Sequence, residues 1–441
     1  MTVASVAQAS SRRERWAWYL YDFGNSAYAS AVFLAVYSVY FKERVVGGAE
    51  GTRLWSLALT LAMAVVALSA PILGTLADFS GSKKRFLLLF TAVCCLFTAC
   101  LFFVEPGMVF AGVLFFVLAE IGYRSAQVFY DGLLPEIAAP AEMGRISGYG
   151  WAVGTVGGIV ILLLIMPLES LLEGTLVPRL AMVVTAIFFV VFALPLFLGL
   201  RERAQRQQLP PGENYLALAF KRLGNTFRET RVFGEYLKFI IAFLVFNDGI
   251  IMVLDFAGII GATLFGLDQQ LLLYFFVLVQ LTNVLGAYLF GILVDRIGGK
   301  PSLVIALSMM IAVLIGLYFN TSQQGFFILG AVAGLAMAGA QSVSRTMVAF
   351  FAPPGKGAEF YGFFATAGRT SSVIGPFVFG AVAAGAAAWL EEQGRSVADA
   401  EQAGLRLAIL SIVAFIVVGM VLLAFVNERK ASTAAATRVD G

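Results

Sequence analysis

Apolar runs of about twenty residues, the length that crosses the hydrocarbon core of a bilayer, recur along the whole chain with short polar breaks between them. They predict twelve spans, at 16–40, 54–77, 86–104, 108–130, 146–166, 180–200, 236–264, 271–294, 302–319, 326–351, 361–389 and 405–426. An even number of spans leaves both ends of the chain on one side of the membrane. The N-tail, the loops on that side and the C-tail hold twenty Lys and Arg, whereas the opposite loops hold six: Lys42, Arg44, Arg53, Arg179, Arg395 and Arg406. The positive-inside bias therefore predicts cytoplasmic termini. The segment 201–235 is the one long loop between spans, carries seven basic residues and is broken by Pro210-Pro211. It reads as a cytoplasmic linker, part of which (215–233) is equally readable as an amphipathic helix on the inner membrane surface. The predicted organisation is a cytoplasmic tail at 1–15, a six-helix bundle at 16–200, the linker, a second six-helix bundle at 236–426 and a C-tail at 427–441.

The two halves echo each other. Gly74, Asp78 and Gly81, in GTLADFSGSKKR between spans 2 and 3, return as Gly291, Asp295 and Gly298, in GILVDRIGGKP between spans 8 and 9, each 217 residues later. Gly148 and Gly154 in span 5 return as Gly362 and Gly368 in span 11, each 214 residues later. Repeats at a fixed large offset mean duplicated architecture. In each loop, glycine lets a neighbouring helix approach closely or permits a tight turn. The aspartate can face a helix N-terminus or a basic partner, Lys84 and Arg85 sit among inner-leaflet headgroups, and the second loop carries Lys300. Contacts of this kind, made in one conformation and broken in another, set the balance between the two, so these loops are the candidate conformational latch.

Composition narrows the chemistry. Of 441 residues, 60% are hydrophobic and 13% charged, against about 25% charged in a soluble domain, and the mean hydropathy is +0.88. The net charge of +3 is dispersed in short loops and gives no footprint for nucleic acid. Cys94, Cys95 and Cys100 share one span and read as packing residues, with neither metal spacing nor a disulfide framework. No metal or other cofactor is expected. Histidine is absent, so any proton carrier must be a carboxylate. Arg12, Arg13 and Arg15 lead into a full-length span with no cleavage site, so no signal peptide is expected.

Charges inside spans are costly and mark solute or proton routes. Span 4 carries Glu120, Arg124, Gln127 and Asp131, spaced to fall on one helical face. Glu120 precedes Arg124 by four, the favourable order for an ion pair. The stripe lines a central cavity on one reading and ties span 4 to its neighbours on the other. Span 7 carries Asn247, Asp248 and Asp255. A buried carboxylate is neutralised by desolvation or held ionised by a partner, so Asp248 is a candidate proton site, or else the partner of Arg345 or Arg369. Span 1 adds Asp22, Asn25 and Tyr28, and span 10 adds Gln341 and Arg345. Arginine suits a carboxylate by bidentate contact, so Arg124 and Arg345 are candidates to grip an anionic group. The glycines of spans 5 and 11 allow close packing, and Trp151 in span 5 is either a ligand platform or a packing residue.

The two loop motifs resemble the signature loop of the major facilitator superfamily, although Pro301 after Lys300 truncates the usual basic cluster. Four further stretches are similar to the vacuole-effluxer-like branch, related to the autophagy-linked amino acid effluxer of yeast: WYLYDFGNSAY at 18–28, VFYDGLLPEIA with GRISGYGWAVGTVGG over 128–158, FNDGI at 246–250, and the run from Gln341 to Pro376. Asp131 departs from that pattern, where Asn or a small polar residue is more usual. The resemblance implies the major facilitator fold and movement of amino-acid-like solutes.

The expected function is a secondary active or facilitative transporter of a small polar solute by alternating access, with protons as a candidate co-substrate, acting as a monomer. The short tails and high alanine content point to a bacterial inner membrane. Export of another metabolite, organic anion or drug is the alternative, and a non-transporting receptor or scaffold fits the polar stripes less well. An intramembrane enzyme lacks a nucleophile with a base and any metal motif. A primary pump lacks a phosphate-binding loop.

Overall fold

The computed structural model describes residues 11–80, 82–138, 143–171, 174–203, 234–351, 360, 363–364, 367–368 and 374–428. Among them the chain is helical almost throughout. Helix α1 runs over Arg12–Tyr28 and continues through π-helical Ala29–Ala35, a turn at Tyr37–Tyr40 and π-helical Phe41–Val46. Then follow α2 (Gly48–Ser80), α3 (Lys83–Cys100, closed by a 3-10 turn Leu101–Phe103), α4 (Val109–Gly132), α5 (Met143–Leu171) and α6 (Leu176–Gly199). After the 204–233 segment, which lies outside the described residues, come α7 (Gly234–Phe265), α8 (Gln269–Ile297), α9 (Gly299–Phe319), α10 (Gln323–Phe351), α11 (Ile374–Glu392) and α12 (Val397–Ala424). Among the described helices, eleven are long and apolar enough to cross a membrane. The twelfth is α1, which is broken at Val36, where φ is −121° and ψ −67°.

Local chemistry sets several of these boundaries. Ser11 accepts from the Glu14 N–H while the Glu14 carboxylate accepts from the Ser11 N–H, a capping box at the start of α1. Asp268 caps α8 through Leu271 N–H at 2.8 Å, and Ser396 caps α12 through Asp399 N–H at 3.2 Å. The turn between α8 and α9 is Gly298, at φ +90°, a conformation that glycine adopts without strain.

The chain divides into two compact units: Met1–Val32, Val65–Val104 and Leu114–Asn225 form one, and Phe33–Ala64, Glu105–Val113 and Thr226–Gly441 the other. The expected bundles follow chain order. The second unit takes in the distal part of α1 and the proximal part of α2. In the first unit, Arg12–Tyr28 packs on α5 and α6, and α3 packs on α6. In the second, α8 packs on α10, α11 on α12, and α12 on α7 and α9. Both units rest on close helix contacts. A Cβ on Gly157 of α5 would overlap the Phe23 carbonyl of α1, one on Gly122 of α4 the Cys94 backbone of α3, and one on Gly286 of α8 the Leu335 backbone of α10. Cys94 and Cys95 are buried free thiols. Large side chains such as Leu68, Phe110, Leu198 and Phe319 are exposed, the outer surface a lipid-embedded protein presents.

Candidate functional site

In the first unit the polar residues of α1 and α4 converge. Glu120 is fully buried, and its Oε1 accepts from Arg124 Nε at 2.7 Å, a pair closed along one helix by the four-residue spacing. The Arg124 side chain keeps 18% of its exposure, and its guanidinium lies over the Tyr123 ring at 5.3 Å. Tyr28, fully buried on α1, stacks on Tyr123 with ring centroids 4.6 Å apart, and its hydroxyl lies beside the Glu120 carboxyl group. Asn25 is buried on the same stretch of α1. Asp22, half-buried, points at α5, where a Cβ on Gly154 would meet its Oδ2 and Ser26 Oγ. Gln127 is half-buried and Asp131 exposed, so the predicted stripe is deeply buried only at Glu120. One turn along, Trp18 and Tyr130 clamp α1 to α4. Their rings stack at 4.4 Å, Trp18 Nε1 donates to the Tyr130 carbonyl at 3.2 Å, and Tyr130 Oη donates to the Trp18 carbonyl at 3.2 Å. Trp151 is 37% exposed; it is the neighbouring Gly150 that packs against the Trp18 ring.

In the second unit, Asn247, Asp248 and Asp255 on α7 are all buried. Asp248 Oδ2 accepts from the Gly375 N–H of α11 at 2.9 Å, and a Cβ at Gly375 would overlap the carboxylate. Glycine is thus what admits this buried acid to the α11 backbone. Among the described residues no basic side chain pairs with Asp248. Asn247 Oδ1 accepts from Gln341 Nε2 of α10 at 2.7 Å, and its Nδ2 approaches the Gly368 carbonyl at 3.5 Å. The Asp255 carbonyl accepts from Trp55 Nε1 at 3.4 Å. Arg345 is exposed on α10, and Arg369 lies outside the described residues.

The loop motifs act through carboxylates that sequence reasoning did not single out. Gly74 and Asp78 end α2, where side chains lie outside the described residues, as does Gly81. At the start of α3, Lys83 N–H donates to Glu202, and Lys84 Nζ donates to the Leu200 carbonyl at 2.6 Å. Arg85 is exposed. In the second copy, Glu428 accepts from the Gly299 and Lys300 N–H groups at 3.1 Å each. Lys300 Nζ donates to the Ala424 and Val426 carbonyls at 2.8 and 2.7 Å. In each half, then, a glutamate just past the sixth helix neutralises the exposed N–H groups of the third. Asp295 is exposed and has no such part in the described contacts, and the space around Gly291 is open. The signal was present in Arg201-Glu202-Arg203 and Asn427-Glu428-Arg429, 226 residues apart. Lys83 extends the first network, reaching the Gly132 carbonyl and Glu136 Oε1 at 2.8 Å each.

Glu14 closes that network. Its carboxylate accepts from Arg203 Nη2 at 2.9 Å and from the Arg201 and Ser11 N–H groups. Burial pushes its pKa up, but these donors outweigh burial and hold it at about 2, against an ordinary 4.5. A carboxylate held below its unfolded value stabilises the fold above that value, and the stabilisation drains as pH falls through the folded one. The wild type is therefore expected to exceed Glu14→Gln in unfolding midpoint at pH 6, with the difference shrinking from pH 4.5 towards pH 2. Thermal unfolding across that range checks it; a difference that does not change with pH would contradict it.

Among the described residues, eleven long apolar helices and the broken α1, with charged and amide side chains buried inside them, define a polytopic membrane protein. The chain belongs to the family described as vacuole effluxer Atg22 like, whose profile matches residues 54–436. It is 27% identical over 422 residues to the MFS-type transporter YxiO of Bacillus subtilis, covering 93% of this chain and 94% of that protein. It is 28% identical over 260 residues to autophagy-related protein 22-1 of Penicillium rubens, covering 54% of this chain but only 44% of the fungal protein. Its fold resembles that of a bacterial homolog to the human lysosomal transporter Spinster, solved inward-facing and unoccupied, with TM-score 0.71 at 16% identity over 97% of this chain and 99% of that one. It also resembles a D-xylose-proton symporter, with TM-score 0.66 at 14% identity over 95% and 98%. The chain is a multi-pass membrane transporter of small solutes.

Proposed function

We propose that this transporter moves amino-acid-like zwitterions by alternating access, coupled to protons, across a bacterial inner membrane with both termini in the cytoplasm. The observation that carries the substrate class is the Glu120–Arg124 pair, with one fully buried carboxylate and one guanidinium that keeps part of its surface. A zwitterion offers a carboxylate to arginine, which binds it bidentately, and an ammonium to the carboxylate of Glu120. Both charges of such a solute find a counterpart on one face of α4. The family description supports efflux, and the B. subtilis relative supports a bacterial cell membrane. The distribution of basic loops supports the orientation. Proton coupling rests on Asp248. The segments 1–15, 201–235 and 427–441 serve as tail, linker and tail, and the carrier works as a monomer.

A thermal-shift screen of the purified protein against amino acids, short peptides, sugars and organic acids tests the substrate class. Amino acids are expected to raise the unfolding midpoint of the wild type and to lose that effect in Arg124→Gln. Stabilisation by sugars or organic acids alone would overturn it.

A further inference from the structure

The far end of α1 holds a charge that the solute route does not use. Lys42 lies in the π-helical turn Phe41–Val46 and is 1% exposed. Its Nζ lies 2.6 Å from Glu43 Oε1, 2.7 Å from Thr263 Oγ1 of α7 and 2.5 Å from Glu401 Oε1 of α12. Thr263 Oγ1 in turn donates to Glu43 Oε1 at 3.0 Å, closing a ring of contacts. A buried ammonium is tolerated only with partners of this kind, and here they come from both halves of the sequence.

The surrounding backbone fits the same junction. Gly258 of α7 lies against the Leu34 carbonyl so closely that a Cβ would overlap it. Gln269 at the start of α8 donates to the Ala35 carbonyl, at the point where α1 breaks. Ser38, one turn before Lys42, is fully buried and faces the same glycine. Within this stretch Lys42 engages both α7 and α12, and Glu43 adds a second charged contact to α7.

We propose that Lys42, with Glu401 and Thr263, is an ion-pair lock that closes the transport route at the end away from the loop motifs. Parting α1 from α7 and α12 requires water to replace the two ammonium contacts to Thr263 and Glu401 and the hydrogen bond from Thr263 to Glu43. Closing restores all of them, so the element has two discrete arrangements. The lock opposes the latch at the other end, and its strength sets the fraction of molecules open at this end. The inference rests on the alternating-access reading, and its test reads accessibility and not solute flux.

The test uses the full chain in nanodiscs, with Cys94, Cys95 and Cys100 replaced by serine or alanine and Ser38→Cys introduced as a reporter. A charged methanethiosulfonate measures its reactivity. In the parent the thiol is expected to react slowly. Adding Lys42→Met or Glu401→Gln is expected to raise the rate at least about tenfold, as a shift towards the open state requires. Thr263→Val removes the two hydrogen bonds of one hydroxyl but leaves the ion pair, and is expected to raise it at least about threefold, which keeps the test decisive if Lys42→Met does not fold. Unchanged rates in Glu401→Gln and Thr263→Val would overturn the lock, whatever happens to flux. Raised rates in a parent that carries no solute would leave the lock standing and count against transport.

Discussion

Replacing Arg124 by methionine is expected to destabilise the protein by about 3–5 kcal/mol, because it strands a fully buried carboxylate without its counter-charge. Glu120→Met is expected to cost less, because Arg124 keeps 18% side-chain exposure and can draw on water. The double variant Glu120→Met/Arg124→Met is expected to recover most of the loss, as apolar replacements of buried ion pairs generally do. Denaturant unfolding of the three variants measures this. The double variant also separates the two readings of α4. If the pair binds solute, the restored protein transports nothing; if the pair only fastens α4, restored stability brings restored transport.

Replacing Asp248 by asparagine is expected to remove pH-driven accumulation while sparing solute exchange. Asparagine retains an oxygen to accept the Gly375 N–H that Asp248 now receives at 2.9 Å, so the α7–α11 contact survives. What is lost is a group able to take up and release a proton within the membrane, and among the described residues no cation competes for it. Accumulation driven by a pH gradient in liposomes should fall by about tenfold or more, the ratio that one pH unit of gradient can sustain. Counterflow at equal pH should stay close to wild type. An unchanged pH dependence would remove Asp248 from the proton route.

Much of this was legible in the sequence, for reasons that differ between residues. Helix placement followed from the length of apolar runs, which the bilayer imposes. The Glu120–Arg124 pair followed from helical periodicity alone, since both partners lie on one helix. The proximity of Asp248 to Gly375 did not, because it depends on how two helices 127 residues apart in sequence cross. The break in α1 was hidden for another reason. Residues 29–46 are as apolar and helix-compatible as their neighbours, and it is tertiary contact from Gly258 and Gln269 that accompanies the π-helical path. Lys42 counted only towards topology, whereas its fold partners make it a buried structural charge. The loop motifs show a similar displacement. The repeat drew attention to Asp78, whose side chain lies outside the described residues, and Asp295, while among the described contacts Glu202 and Glu428 are carboxylates that face the helix N-termini.

Counterflow of a radiolabelled amino acid into liposomes, without ATP, tests the central claim most directly. Preloaded vesicles carrying the wild-type protein are expected to take up label well above protein-free vesicles, and vesicles carrying the stable Glu120→Met/Arg124→Met protein are expected to match the protein-free control. Uptake by that double variant equal to wild type would contradict the account, as would wild-type vesicles that exchange no amino acid at all.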